Sequence, residues 1–156
     1  MAKFPTEVER RVVARVPLAR AYSYLLDVGG TSKWIPSIAR CEKVDAQTWR
    51  FISKERSVGP LSLGIRYTAR YEGNGVDHIS FRSVEAEGDN AEIEGTLALR
   101  ALADGTTEIH LHQRIAPDTP VPRLMQGMLR SFVEREASSE VDSFLEGVRR
   151  TLEGDA

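Results

Sequence analysis

Between residues 39 and 115 the chain divides into six short segments in which apolar and polar residues alternate, and this constrains the architecture more than any other feature. Alternation places every second side chain on the same face of a strand, so each segment has one dry face and one wet face. Segments 39–45 and 48–55 pair as a hairpin through Ala46-Gln47, with Trp49 and Phe51 on one face. After the Gly59-Pro60 break, segment 62–72 lines up Leu63, Ile65, Tyr67, Ala69 and Tyr71 against Ser62, Arg66, Thr68 and Arg70. Gly73-Asn74-Gly75 is a turn, because Gly and Asn accept positive φ. Segment 78–84 turns Ile79 and Phe81 inward, and 91–102 does the same with Ile93, Leu97 and Leu99. Asp104-Gly105 then leads into 107–115, where Ile109, Leu111 and Ile115 oppose Glu108, His110, His112 and Arg114. Strands with one wet face belong to an antiparallel sheet covered on one side.

The flanks supply a seventh strand and the cover. Val8 to Val16 alternates in the same way, although Arg10 and Val13 blur it. Pro17 opens a helix carrying Leu18, Ala21, Tyr22, Leu25 and Leu26, which Gly29-Gly30 stops. Thr31 or Ser32 caps a second short helix with Trp34 and Ile35, cut short by Pro36. At the other end, Pro120 and Pro122 mark the start of a helix that runs to about Leu152. Leu124, Met125, Met128, Leu129, Phe132 and Val133 form its first apolar stripe; Ala137, Val141, Phe144, Leu145, Val148 and Leu152 form its second. At about 100° per residue the two stripes do not line up. Either the helix bends near Ala137-Ser138-Ser139 or its second stripe meets another copy of the chain.

Composition narrows the function. The chain has 156 residues, 41% hydrophobic and 28% charged, which suits one domain spanning 1–156 with a sizeable core. Its 21 basic and 23 acidic residues leave a formal charge of -2, which argues against a nucleic-acid partner held by phosphate neutralisation. No stretch approaches the ~20 apolar residues of a membrane span, and no signal peptide is evident, so a soluble cytoplasmic protein is expected. The lone Cys41 excludes an intramolecular disulfide and reads as a small, partly buried hydrophobe.

The order strand, two short helices, six strands, long helix resembles the START-like (SRPBCC) superfamily, which includes birch-pollen-allergen, polyketide cyclase/dehydrase and coenzyme-Q-binding types. The residues carrying the resemblance are Val12-Val13-Ala14-Arg15-Val16-Pro17, Ala21-Tyr22-Ser23-Tyr24-Leu25-Leu26-Asp27, Lys33-Trp34-Ile35-Pro36-Ser37-Ile38 and Asp104-Gly105-Thr106-Thr107-Glu108-Ile109. It covers about residues 7–152. The resemblance implies an α+β helix-grip fold, a seven-stranded curved antiparallel sheet around the long C-terminal helix, with a cavity between them. The expected walls are Trp34, Ile38, Trp49 and Phe51 from the first half of the chain. Ile65, Tyr67, Phe81, Ile93, Leu97, Ile109 and Leu111 come from the later strands. Met125, Met128, Leu129 and Phe132 come from the last helix. Flexible methionines and aromatic walls suit a small-molecule pocket, although the same residues could simply fill a core.

Catalytic signatures are sparse. His110 and His112 share a wet face with Glu108 and Arg114, a pattern that cross-strand pairing explains without a metal. His78 falls at a turn. Glu94 and Arg66 lie on the outer face, which leaves Tyr67 and Tyr71 as the acid–base candidates within a cavity. Neither a phosphate-binding loop nor a GxSxG elbow is present.

The leading expectation is therefore a carrier for a small hydrophobic ligand (lipid, quinone or polyketide-like), with no cofactor and no metal. Entry is expected through the 29–38 segment, the 56–61 loop and the front of the last helix. A polyketide cyclase/dehydratase-like enzyme and a filled-core interaction protein, possible as a homodimer, are the alternatives.

Overall fold

The computed structural model describes residues 2–154. The chain runs through β1 (Ala2–Lys3), β2 (Thr6–Ala14), α1 (Leu18–Leu26), α2 (Val28–Thr31), β3 (Ile38–Lys43) and β4 (Thr48–Ser53). It continues with β5 (Arg56–Val58), β6 (Leu61–Leu63), β7 (Arg66–Gly73), β8 (His78–Ser83), β9 (Ala91–Ala101), β10 (Thr107–Thr119) and α3 (Gln126–Leu152). Single turns of 3-10 helix at Ser32–Trp34 and Arg123–Met125 introduce β3 and α3.

The seven long strands form one curved antiparallel sheet in the order β3-β4-β7-β8-β9-β10-β2. The two-residue β1 continues the β2 edge past Pro5, pairing Lys3 with Asp118. The alternation read from the sequence carries through. Phe51, Tyr67, Ile79, Phe81, Ile93, Leu97, Leu99, Ile109 and Leu111 are buried, while Glu92, Glu94 and Arg100 are exposed. On the wet face His110 Nε2 lies 2.9 Å from Glu9 Oε1, and His112 Nε2 lies 3.5 Å from Glu7 Oε2. Among the described residues no group of three His, Cys, Asp or Glu side chains could hold a metal.

Four local features depart from the sequence reading. Gly29-Gly30 does not stop the first helix but lies inside α2, which Asp27 caps by accepting from Gly30 N–H at 3.1 Å. Trp34 sits on a single 3-10 turn rather than on a helix capped by Thr31 or Ser32. Segment 62–72 splits: Leu61–Leu63 pairs with Arg56–Val58, and only Arg66 onward joins the main sheet. The 56–61 stretch is thus a tight hairpin rather than a loop, turned at Gly59 with φ +59°. Asn90 separates the two pieces, its side-chain amide donating to Gly64 O at 2.7 Å while its carbonyl oxygen accepts from Arg66 N–H at 2.8 Å. Strand β10 runs on to Thr119, because Phe4 N–H donates to Pro117 O and Asp118 N–H to Asn90 O. Pro120 and Pro122, which lack an N–H, lie in the connection ahead of α3.

The two stripes of α3 meet two different partners. Leu129 and Val133 pack with Phe4 and Val58, and Leu63, Val121 and Phe132 close around them. Ala137, Val141, Leu145, Val148 and Leu152 join the main core over the sheet. The rotation between the stripes turns the helix from one partner to the other, so the second stripe is covered by the chain's own sheet.

The segment between α1 and β3 is seated on α3. Trp34 rests on Gly147, where an added Cβ would come within 2.4 Å of the indole, and Trp34 Nε1–H donates to Tyr24 Oη at 2.9 Å. Ser37 N–H donates to Glu140 Oε1 at 2.9 Å, a second tie to the same helix. Beside them Gly29 lies under the Trp49 ring.

Candidate ligand cavity

Between the concave sheet face and α3 lie two adjoining chambers. The inner one, about 70 Å³, has aromatic walls from the sheet and is closed by Leu25, Val28 and Ile35 on one side and Val141 and Phe144 on the other. Phe51 stacks on Tyr67 with ring centroids 4.9 Å apart, and Tyr71 stacks on Phe81 at 5.3 Å. Gly95 makes that second stack possible: a Cβ on it would stand 2.5 Å from the Phe81 ring. The outer chamber, about 80 Å³, is bounded by Leu63, Ile65, Leu129, Phe132 and Val133, with Arg56 and Glu136 at its rim. Gln113, Ile115 and Glu140 line both chambers and form the seam between them.

The polar groups here are few, which gives each of them weight. Glu140 projects from α3 between Ala137 and Phe144 and is half-buried. Burial raises its carboxyl above the ordinary carboxylate value and Glu136 adds to the rise, while the hydrogen bonds from Ser37 and the charge of Arg56 oppose it. Arg56 is already engaged, its guanidinium 2.6 Å from Glu136 Oε1 and its cationic carbon 5.8 Å from the Phe132 ring. Burial also pushes the Tyr67 and Tyr71 hydroxyls well up, so both stay neutral phenols that can donate. Among the described residues neither of these hydroxyls nor the Gln113 amide has a hydrogen-bond partner. Cys41 faces the same core; burial raises its thiol, and a hydrogen bond with Ser32 opposes that. A raised thiol is a poor nucleophile.

The fifteen residues expected to line a cavity divide into two groups. Phe51, Tyr67, Phe81, Ile93, Leu97 and Leu111 line the inner chamber. Ile65, Leu129 and Phe132 line the outer one. The remaining six lie elsewhere. Ile109 is fully buried in the core, and Ile38 packs against that core from its edge. Trp34 and Trp49 sit over Gly147 and Gly29. Met125 and Met128 rest against Gly59 at the hairpin turn, with Met128 44% exposed.

The sequence reading passed over the seam. Gln113 occupies an inward position of β10, two residues from both Leu111 and Ile115, so it is a polar break in a dry face. Glu140 lies three and four residues from Ala137 and Phe144, on the edge of the apolar stripe. Polar residues at apolar positions were the signal that could have found both.

A one-sided sheet closed by a single long helix over paired apolar chambers defines a helix-grip protein with an internal cavity. The chain belongs to the polyketide cyclase/dehydrase and lipid transport family of the START-like superfamily, whose model matches residues 5–153. No functionally curated protein is significantly similar to it in sequence. Among solved structures, TTHA0849 from Thermus thermophilus shares 19% identity and a TM-score of 0.75 over 96% of this chain and 99% of that one. The Zhui aromatase/cyclase from Streptomyces shares 18% identity and a TM-score of 0.63, with 94% of each chain covered. A START superfamily protein from Mycobacterium smegmatis shares 16% identity and a TM-score of 0.57 over 94% of this chain and 98% of that one. At these identities the likeness is one of fold. Among the described residues no helix is long and apolar enough to cross a membrane.

Proposed function

We propose that the chain is a single cytoplasmic domain that carries or sequesters a compact hydrophobic molecule in the paired chambers. The observation that carries this reading is the seam: apolar chambers join where Gln113 and Glu140 offer hydrogen bonds to a ligand spanning both. An apolar cavity of roughly 150 Å³ accepts benzene. Chambers of about 80 and 70 Å³ together reach that volume and therefore favour a compact ring compound over a long acyl chain. Burying ~200 Å² of apolar ligand surface would contribute several kcal/mol before association costs. Open chambers also weigh against a protein whose filled core leaves it only surfaces to act with.

A second reading is an enzyme of the cyclase or dehydratase kind, as the named aromatase/cyclase neighbour is. One feature favours it: Glu140 places at the cavity a carboxyl that burial raises above the ordinary carboxylate value, a group that can give or take a proton. Native mass spectrometry of the protein as purified, followed by denaturing extraction, tests the carrier reading. A released hydrophobic molecule near one per chain supports it. Empty protein that also fails to bind an apolar dye contradicts it.

A further inference from the structure

The inner chamber holds one side chain that can carry a formal charge near neutral pH, and that side chain is an acid. Its lining is otherwise aliphatic, aromatic, hydroxyl or amide, with Glu140 at the seam. Among the described residues the one cation lining the cavity, Arg56, borders the outer chamber and is paired with Glu136 at 2.6 Å. An anion entering this space would lose its water and meet a carboxylate, with no free cation to offset either cost. A ligand hydroxyl or amine would instead complete Glu140, whose Oε1 already accepts one bond from Ser37 N–H at 2.9 Å. Gln113, on the same seam, can orient either kind of donor because its amide both donates and accepts.

We infer that Glu140 makes the cavity selective for compact hydrophobic ligands bearing a hydrogen-bond donor, and against hydrophobic carboxylates of the same shape. The inference rests on the ligand-binding reading and adds the chemical class of ligand to it. Glu140 acts here as a specificity-determining residue that touches the ligand. The same geometry excludes fatty acids and aromatic acids, although apolar walls alone would admit both.

Three probes with one ring system separate the possibilities: 2-naphthol, its methyl ether and 2-naphthoate, titrated calorimetrically at mildly alkaline pH. The wild-type protein is expected to bind naphthol about ten-fold or more tightly than naphthoate, the least that an uncompensated buried charge should impose. The ether, which lacks the donor, should fall between them. Glu140→Gln keeps an oxygen for Ser37 N–H and removes the charge, so the naphthol-to-naphthoate ratio should fall to about three-fold or less. Equal binding of naphthol and naphthoate by the wild type overturns the inference without needing any variant. So does a ratio that survives in a folded Glu140→Gln protein. If none of the three binds and the purified protein is also empty and takes up no apolar dye, the ligand-binding reading itself fails and takes the inference with it. If none binds to a protein that does take up the dye, the inference alone is overturned. If all three bind alike, that reading stands and the selectivity does not.

Discussion

The two halves of α3 rest on cores of very different extent. From Ala137 onward the helix packs into the main core, with buried residues drawn from β2, α1, α2, β4, β7, β8, β9 and β10. Before Ala137 it rests on a small cluster in which Phe4 and Val58 are the buried partners. The cavity lies where these regions meet, and its polar groups stand at the junction. A large core can hold a helix in place, whereas a three-residue-stranded hairpin has few contacts of its own and depends on that helix. With a large core on one side and a small cluster on the other, opening beside the outer chamber would disturb only the smaller contact and leave the sheet intact.

This contrast can be broken most forcefully by truncation. Phe51→Ala removes a fully buried, stacked ring from the main core and should cost about 3–5 kcal/mol in denaturant unfolding. Val58→Ala, in the hairpin cluster, should cost about 1.5 kcal/mol and raise amide exchange chiefly over β5 and β6. If Val58→Ala costs as much as Phe51→Ala, the two regions are one core and the contrast is wrong. Gly147→Ala comes next. The new Cβ would overlap the Trp34 indole, costing about 1–3 kcal/mol, and the tryptophan emission should shift as Trp34 leaves its seat.

Charge changes should have smaller effects. Arg56→Gln breaks a partly exposed ion pair, so stability should change by about 0–1 kcal/mol. Release of a bound apolar dye in stopped flow should nevertheless quicken, because that pair ties β5 to α3 beside the outer chamber. The smallest expected effect concerns Glu140. Burial raises its carboxyl in the folded state, so between the unfolded and folded pKa values the native protein binds more protons than the unfolded chain. Stability from this group therefore falls as pH rises through that window. Glu140→Gln should melt slightly above the wild type at mildly alkaline pH, and the gap should close below the ordinary carboxylate value. A gap that widens in acid would contradict the assignment.

Much of the fold was legible because alternation is a strong signal. The seven strands, the first short helix and the long helix follow from the spacing of residues such as Ile79, Phe81, Ile93 and Leu97. The second short helix falls a turn earlier than read, because Asp27 caps it ahead of Gly29-Gly30. The break at Gly64-Ile65 was not legible, because it depends on Asn90 bonding Gly64 and Arg66 from twenty-odd residues away. The cavity was half legible for a related reason. Apolar positions reveal which side chains face inward, but whether they fill space or line it depends on how α3 and the hairpin sit. Met125 and Met128 have the right chemistry for a pocket wall, yet the turn at Gly59 takes them up. Glu140 and Gln113 were not singled out in the sequence, although their positions in the periodicity point inward.

The central claim is that the two chambers act as one binding site joined at Gln113 and Glu140. Amide chemical-shift mapping during titration with 2-naphthol tests it most directly. The account predicts shifts at Gln113, Ile115 and Glu140 together with residues of both chambers, such as Tyr67 and Phe132. Shifts confined to the outer sheet face around Ser80 and Thr96, or to the exposed Leu124 end of α3, would contradict it.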